Sequence, residues 1–89
     1  MKKSVQVTIS GKVQGVGFRY FCNQKARQLD VSGFVKNRAD GSVYVEAEGS
    51  EENLYAFVEY CKKGPAASRV VRLDVLPQPV CNYSGFEIR

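Results

Sequence analysis

The hydrophobic pattern of the chain changes period across one glycine-rich segment, which runs from Gly11 to Arg19. Before this segment, Val5, Val7 and Ile9 alternate with polar residues, as in a strand with one buried face. After it, apolar side chains recur at the spacing of one helix face, in a stripe formed by Phe18, Cys22, Ala26 and Leu29. The sequence therefore predicts a strand, a short glycine-rich loop and a helix in direct succession.

Periodicity and turn residues divide the rest of the chain into further elements. They are a strand at 31–37, a strand at 43–47, a helix that follows Ser50 and ends at Gly64-Pro65, a strand at 70–76 and a short edge strand through Phe86 and Ile88. This order is typical of a ferredoxin-like α+β sandwich with the pattern β-α-β-β-α-β. We predict two helices on one face of a mostly antiparallel sheet, a short C-terminal edge strand, and one domain at 1–89.

The connection between the second and third strands fixes which side chains share a face. A three-residue loop at 39–41 places Val35 opposite Val45, whereas a two-residue loop would place Lys36 there. We predict the longer loop, because it keeps apolar side chains on one face, with its last residue, a glycine, in the left-handed conformation. Asn37 then points toward the apolar face near the end of its strand.

The loop and the end of the second strand are expected to meet. In a β-α-β unit the first two strands run in the same direction, so residues 12–18 and Asn37 lie at the same end of the sheet. Gly15 and Gly17 let backbone N–H groups surround an anion, and the helix start and Arg19 add positive charge. Either glycine alone is also typical of an ordinary strand-to-helix turn. Taken together, these features predict an anion site.

Several kinds of chemistry are excluded by the residues present. The loop has neither the Lys-Ser/Thr of a Walker loop nor the third glycine of a dinucleotide fingerprint. The chain has no histidine, which excludes Ser-His and Cys-His nucleophiles. Its cysteines Cys22, Cys61 and Cys81 lack Cys-x-x-Cys spacing, so we expect reduced thiols, no disulfide framework and no metal site. The loop is suited to hold an anion, not to attack it.

Charge and hydropathy limit the kinds of partner and the cellular location that we expect for the protein. The net charge of +4 favours an anionic partner, but the basic residues are scattered along the chain. The N-terminal residues alternate polar and apolar side chains, unlike a signal peptide, so we expect a cytoplasmic protein that does not bind membranes. Phe18, Phe34 and Phe57 are expected in the core, and the five tyrosine rings are expected to cover the surface.

Three separated blocks of the chain closely resemble the acylphosphatase family. They are Gly11-x-Val13-Gln14-Gly15-Val16-Gly17-Phe18-Arg19, Gly33-Phe34-Val35-Lys36-Asn37 and Asp40-Gly41-Ser42-Val43. Further likeness is found at Ala47-Glu48-Gly49, Gly64-Pro65 and Phe86-Glu87-Ile88-Arg89, so the resemblance covers nearly the whole chain. It implies a hydrolase that cleaves acyl phosphates to carboxylate and inorganic phosphate without metal or cofactor.

The resemblance also implies a role for each matching residue. Arg19 and Asn37 correspond to the two catalytic residues, with Arg19 on the phosphoryl oxygens and Asn37 orienting the attacking water. The backbone amides expected to bind the phosphoryl oxygens belong to Gln14, Gly15, Val16, Gly17 and Phe18. An acyl phosphate leaves as a weakly basic carboxylate, so a site without histidine suffices if it positions water and stabilises charge.

Two other functions stay open from the sequence. One is a non-catalytic module that binds phosphate or RNA, although no segment has the RNA-recognition-motif pattern and we expect no nucleic-acid partner. The other is an acylphosphatase-like domain of a larger carbamoyl-transfer protein; a chain of 89 residues beginning at Met1 favours the free-standing form. We expect a monomer whose site also accepts inorganic phosphate or sulfate.

Cys22 stands where the family often has threonine. Antiparallel helices would bring the start of the first near the end of the second, so Cys22 is expected to approach Cys61. We expect the two side chains to pack together without a disulfide.

Overall fold

A computed structural model describes residues 1–89 and confirms the predicted order of elements. The elements are β1 (Lys2–Lys12), α1 (Phe18–Gln28), β2 (Ser32–Asn37), β3 (Val43–Ser50), α2 (Glu51–Lys63), β4 (Arg69–Gln78) and β5 (Phe86–Ile88). The strands form one sheet in the order β4-β1-β3-β2-β5, antiparallel except for the β2–β5 pair. This is the predicted ferredoxin-like sandwich. Neither helix is long and apolar enough to cross a membrane.

The core lies between the sheet and the two helices. Alternate β1 residues, including Val7 and Ile9, are fully buried there and meet the apolar stripes of both helices. The start of α2 is fixed by Ser50, whose hydroxyl accepts the Asn53 N–H at 3.1 Å. The second helix ends at Gly64, which adopts a φ of 68°. Both helices therefore start and stop where the sequence predicts, to within a residue or two.

The predicted hairpin register is confirmed. Val35 pairs with Val45, and Asn37 pairs with Val43 at the end of β2. A three-residue loop follows, closed by the Arg38 N–H, which donates to the carbonyl beyond the loop at 2.9 Å. Its last residue, a glycine, has the expected left-handed φ of 93°. Since Val35 faces the helices, Asn37 is directed to the same side of the sheet.

The expected contact between the two helix cysteines is also present. Cys22 and Cys61 are both fully buried and both free. The two thiols are within hydrogen-bonding reach, and this contact, together with burial, raises the pKa of Cys61 well above its usual value. The pair therefore fills the interface of α1 and α2 as two small buried side chains in contact.

Two expectations need correction on the sheet face away from the helices. Phe34 is buried, but it lies on this face and not in the core, with its ring centroid 6.0 Å from Tyr44 and 5.9 Å from Tyr83. Tyr44 was expected to cover the surface but is only 8% exposed.

The end of β4 also differs from the prediction. The strand continues through Pro77, which an edge strand tolerates because one side of its backbone is unpaired.

The burial on the sheet face away from the helices is explained by residues 79–85, which connect β4 at one edge of the sheet to β5 at the other. Glu48 is fully buried, and its carboxylate accepts the N–H groups of Cys81 at 2.9 Å and Tyr83 at 2.8 Å. Burial alone would raise the pKa of Glu48, but these two donors and the Ser4 hydroxyl outweigh it and lower the pKa. The buried carboxylate thereby fixes the segment that delivers β5 to its place beside β2.

Candidate active site

The glycine-rich loop is held at both ends by the core. Val13 is 1% exposed and Phe18 is 2% exposed, whereas Gly15 and Gly17 between them are exposed. Both glycines adopt left-handed conformations, with φ of 74° and 81°. A Cβ at either position would meet no atom within 4 Å, so the backbone conformation and not crowding calls for glycine.

The start of α1 is open to an anion. Gly17 is the N-cap residue and offers no side-chain hydrogen bond, and the first turn contains no acidic residue. The N–H groups of this turn therefore lack side-chain acceptors, and the positive end of the helix dipole is not neutralised. The arrangement is chemically suited to bind a phosphate or sulfate.

A pocket of about 250 Å³ lies between this loop and the end of β2. Its lining residues are Val13, Gly15, Gly17, Phe18, Arg19, Tyr20, Asn37 and Ile88. The structure thus brings together five of the residues named from the sequence, including Arg19 and Asn37. The convergence follows from the parallel course of β1 and β2, which places both carboxyl ends at one end of the sheet.

Two of the named residues, Gln14 and Val16, do not line the pocket. Val16 is partly buried against the core. The side-chain amide of Gln14 donates to the carbonyl oxygens of Arg38 at 2.7 Å and Ser42 at 2.9 Å. Because those carbonyls belong to the residues that close the β2–β3 hairpin, Gln14 ties the loop to the chain segment directly after Asn37.

Arg19 is available for an anion. It is exposed, and none of the three ion pairs of the structure includes it. Two further cations near the end of β2 rest on the Tyr44 ring, with the Lys36 ammonium 5.8 Å and the Arg38 guanidinium 3.9 Å from its centroid. Because Tyr44 lies on the sheet face away from the helices, these two cations do not line the pocket, and Arg19 is the cation that an anion bound there would meet.

Tyr20 and Ile88 line the pocket but were not predicted as site residues. Tyr20 follows Arg19 directly, so its place at the helix start could have been noted in the sequence. Ile88 reaches the pocket because β5 pairs in parallel with β2, with Ile88 beside Val35. No sequence pattern specifies that register.

Comparisons with known proteins agree with this geometry. The family model described as acylphosphatase matches residues 5–88. The acylphosphatase of Salinibacter ruber is 44% identical over 89 residues, covering 99% of this chain and 94% of that relative. The crystal structure of acylphosphatase from Bacillus subtilis superposes with a TM-score of 0.95 at 39% identity, covering 100% of this chain and 99% of that one. The structure of an acylphosphatase from Coxiella burnetii gives a TM-score of 0.95 at 35% identity, covering 99% and 93%.

Proposed function

Since this chain belongs to the acylphosphatase family, we propose that it hydrolyses acyl phosphates, with Arg19 binding the phosphoryl group and Asn37 positioning the attacking water. The observation that carries the proposal is the shared pocket, in which Arg19, Asn37 and the two loop glycines face one space of about 250 Å³. The residues of the pocket supply donors and positive charge; they include no thiol, carboxylate or serine hydroxyl, and the Tyr20 hydroxyl accepts a hydrogen bond from the Gln24 side-chain amide. A water molecule is therefore the attacking group.

The reaction needs little acid-base catalysis. Water attacks phosphorus, the bond between phosphorus and the acyl oxygen breaks, and the carboxylate leaves with the electron pair of that bond. The carboxylate is a weak base, so it departs without a proton, and the proton of the water ends on inorganic phosphate. Rate enhancement comes from charge stabilisation and from placement of the water.

Charge stabilisation and placement of the water are carried out by different residues of the pocket. The loop amides and the Arg19 guanidinium stabilise charge on the equatorial oxygens of the phosphoryl group. Asn37 lies at the end of β2, opposite Val43, and its amide can both donate and accept a hydrogen bond. It can accept a hydrogen bond from the attacking water while its amide group donates to a phosphoryl oxygen, which aligns the two reactants.

Phosphate release from benzoyl phosphate tests this assignment. Loss of one fixed donor to transition-state charge costs about 10²–10³ in rate, so we expect at least that loss in Arg19→Ala and in Asn37→Ala. Matched controls are Arg27→Ala, an exposed arginine on the same helix, and Asn53→Ala on α2, which should retain wild-type rates. Undiminished turnover in a folded Arg19→Ala or Asn37→Ala protein would refute the role of that residue.

We also propose that the enzyme acts without a metal ion, in the cytoplasm and as a monomer, and that inorganic phosphate occupies the same pocket. A chelator should leave the rate unchanged, and phosphate should inhibit competitively. Light scattering should give a mass near 9.9 kDa, and cell fractionation should recover the protein with cytoplasmic markers. Loss of activity with chelator, or non-competitive inhibition by phosphate, would contradict the corresponding statement.

A further inference from the structure

We propose that Tyr20 and Ile88 form the acyl-binding side of the pocket, so that these two side chains decide how strongly the enzyme distinguishes bulky apolar acyl groups from small ones. This inference rests on the proposed function and concerns the part of the substrate that the phosphoryl site does not touch.

The pocket lining divides into two parts of different chemistry. The glycines, Arg19 and Asn37 present donors and charge, as the phosphoryl end requires. Of the apolar lining residues, Val13 and Phe18 are buried and only form the floor. Tyr20 and Ile88 are 62% and 46% exposed, so they are the apolar side chains with surface left for a ligand to cover.

Both side chains are carried by regular elements and are already in place. Tyr20 lies in the first turn of α1, where the side-chain amide of Gln24, one turn later, donates to its hydroxyl at 3.0 Å. Ile88 pairs with Val35 of β2, and Arg89, directly after β5, donates its N–H to the Val35 carbonyl at 2.8 Å. Since Val35 faces the helices, Ile88 does too, at the end of the sheet beside α1.

The position of the acyl group follows from the reaction. With the phosphoryl group in the loop, in-line displacement sets the scissile oxygen opposite the attacking water. The proposal places the acyl substituent against the exposed apolar lining, Tyr20 and Ile88. A methyl group can cover little of the exposed Tyr20 and Ile88 surface, whereas a phenyl ring can cover much of it. Apolar burial of that extent corresponds to roughly tenfold in affinity, so discrimination of that order is expected between benzoyl and acetyl phosphate.

The test is the ratio of kcat/KM for benzoyl phosphate to kcat/KM for acetyl phosphate. We expect this ratio to fall roughly threefold in Tyr20→Ala and in Ile88→Ala, and roughly tenfold in the double variant. The loss should arise in KM for benzoyl phosphate, because the acyl group contacts these side chains equally before and during reaction. Tyr20→Phe keeps the ring and should keep the ratio, and Ile88→Thr keeps the branched shape but should lower it.

Tyr55→Ala is the matched control, since Tyr55 is a similarly exposed tyrosine on α2 that does not line this pocket. It should leave both rates unchanged. An unchanged ratio in both alanine variants, or an equal loss on both substrates, would overturn the proposal. Failure of the wild-type protein to hydrolyse either substrate would instead refute the proposed function, so the two failures are distinguishable.

Discussion

The bridge from Gln14 to the β2–β3 hairpin gives a prediction about catalysis from a side chain outside the pocket. The side-chain amide of Gln14 donates to the carbonyl oxygens of Arg38 at 2.7 Å and Ser42 at 2.9 Å, and Asn37 directly precedes Arg38 in the chain. The bridge therefore holds the end of β2 at a fixed distance from the loop. Removing it should loosen the position of Asn37 relative to the phosphoryl site.

The magnitude follows from the two bonds. Each neutral hydrogen bond contributes about 0.5–1.5 kcal/mol, and the solvent-exposed one lies at the low end, so Gln14→Ala should destabilise the fold by about 1–2 kcal/mol. A misplacement of about 1 Å costs up to about 10² in rate, and we expect a kcat loss of about tenfold in Gln14→Ala. Gln14→Glu preserves size but presents carboxylate oxygens to two carbonyl oxygens, so its loss should be larger.

The assay is benzoyl phosphate turnover, with urea unfolding of the same samples. The loss should appear in kcat more than in KM, because the bridge acts on the placement of the water and not on phosphate binding. Gln28→Ala, an exposed glutamine at the end of α1, is the matched control and should match the wild type. Wild-type kcat and stability in Gln14→Glu would refute the reasoning.

Three predictions concern the fold. The pKa of Glu48 is lowered in the folded state, so its stabilising contribution is complete above the unfolded value near 4.5 and is lost as pH falls through the lower folded value. Glu48→Gln should therefore be less stable than the wild type at neutral pH and should lose less stability on acidification. Urea unfolding at neutral and at acidic pH measures this, and an equal loss of stability on acidification in the two proteins would contradict it. Gly33→Ala should lower the free energy of unfolding by at least about 2 kcal/mol, because the Cβ of the alanine would lie 1.8 Å from the Glu46 carbonyl oxygen and the backbone there has a φ of 141°. An unchanged melting temperature would refute this prediction. Denatured protein should show equal thiol counts with and without reductant, whereas two missing thiols would reveal a Cys22–Cys61 disulfide.

Those parts of the fold that depend on local pattern could be predicted from the sequence. The hairpin register followed from the faces of its two strands, since only the three-residue loop pairs Val35 with Val45. The meeting of the loop with Asn37 followed from the direction of strands in a β-α-β unit. Both results depend on rules that act within a single supersecondary unit.

Contacts between distant segments could not be predicted in this way. The Gln14 bridge spans 24 and 28 residues and depends on the exact height of the hairpin end above the loop. Ile88 enters the pocket only because residues 79–85 cross the sheet and set β5 in parallel register with β2. The same crossing covers Phe34 and Tyr44, which were assigned to the core and to the surface from their residue types. Nothing in the pattern of a strand indicates which other segment covers its second face.

The central claim is that the pocket of Arg19 and Asn37 directs water onto phosphorus. Hydrolysis of benzoyl phosphate in water enriched in oxygen-18, followed by mass spectrometry of both products, tests it most directly. The account predicts that the enzyme-dependent label enters inorganic phosphate and leaves benzoate unlabelled. Label in benzoate would mean attack at the carbonyl carbon and would contradict the assignment of the site.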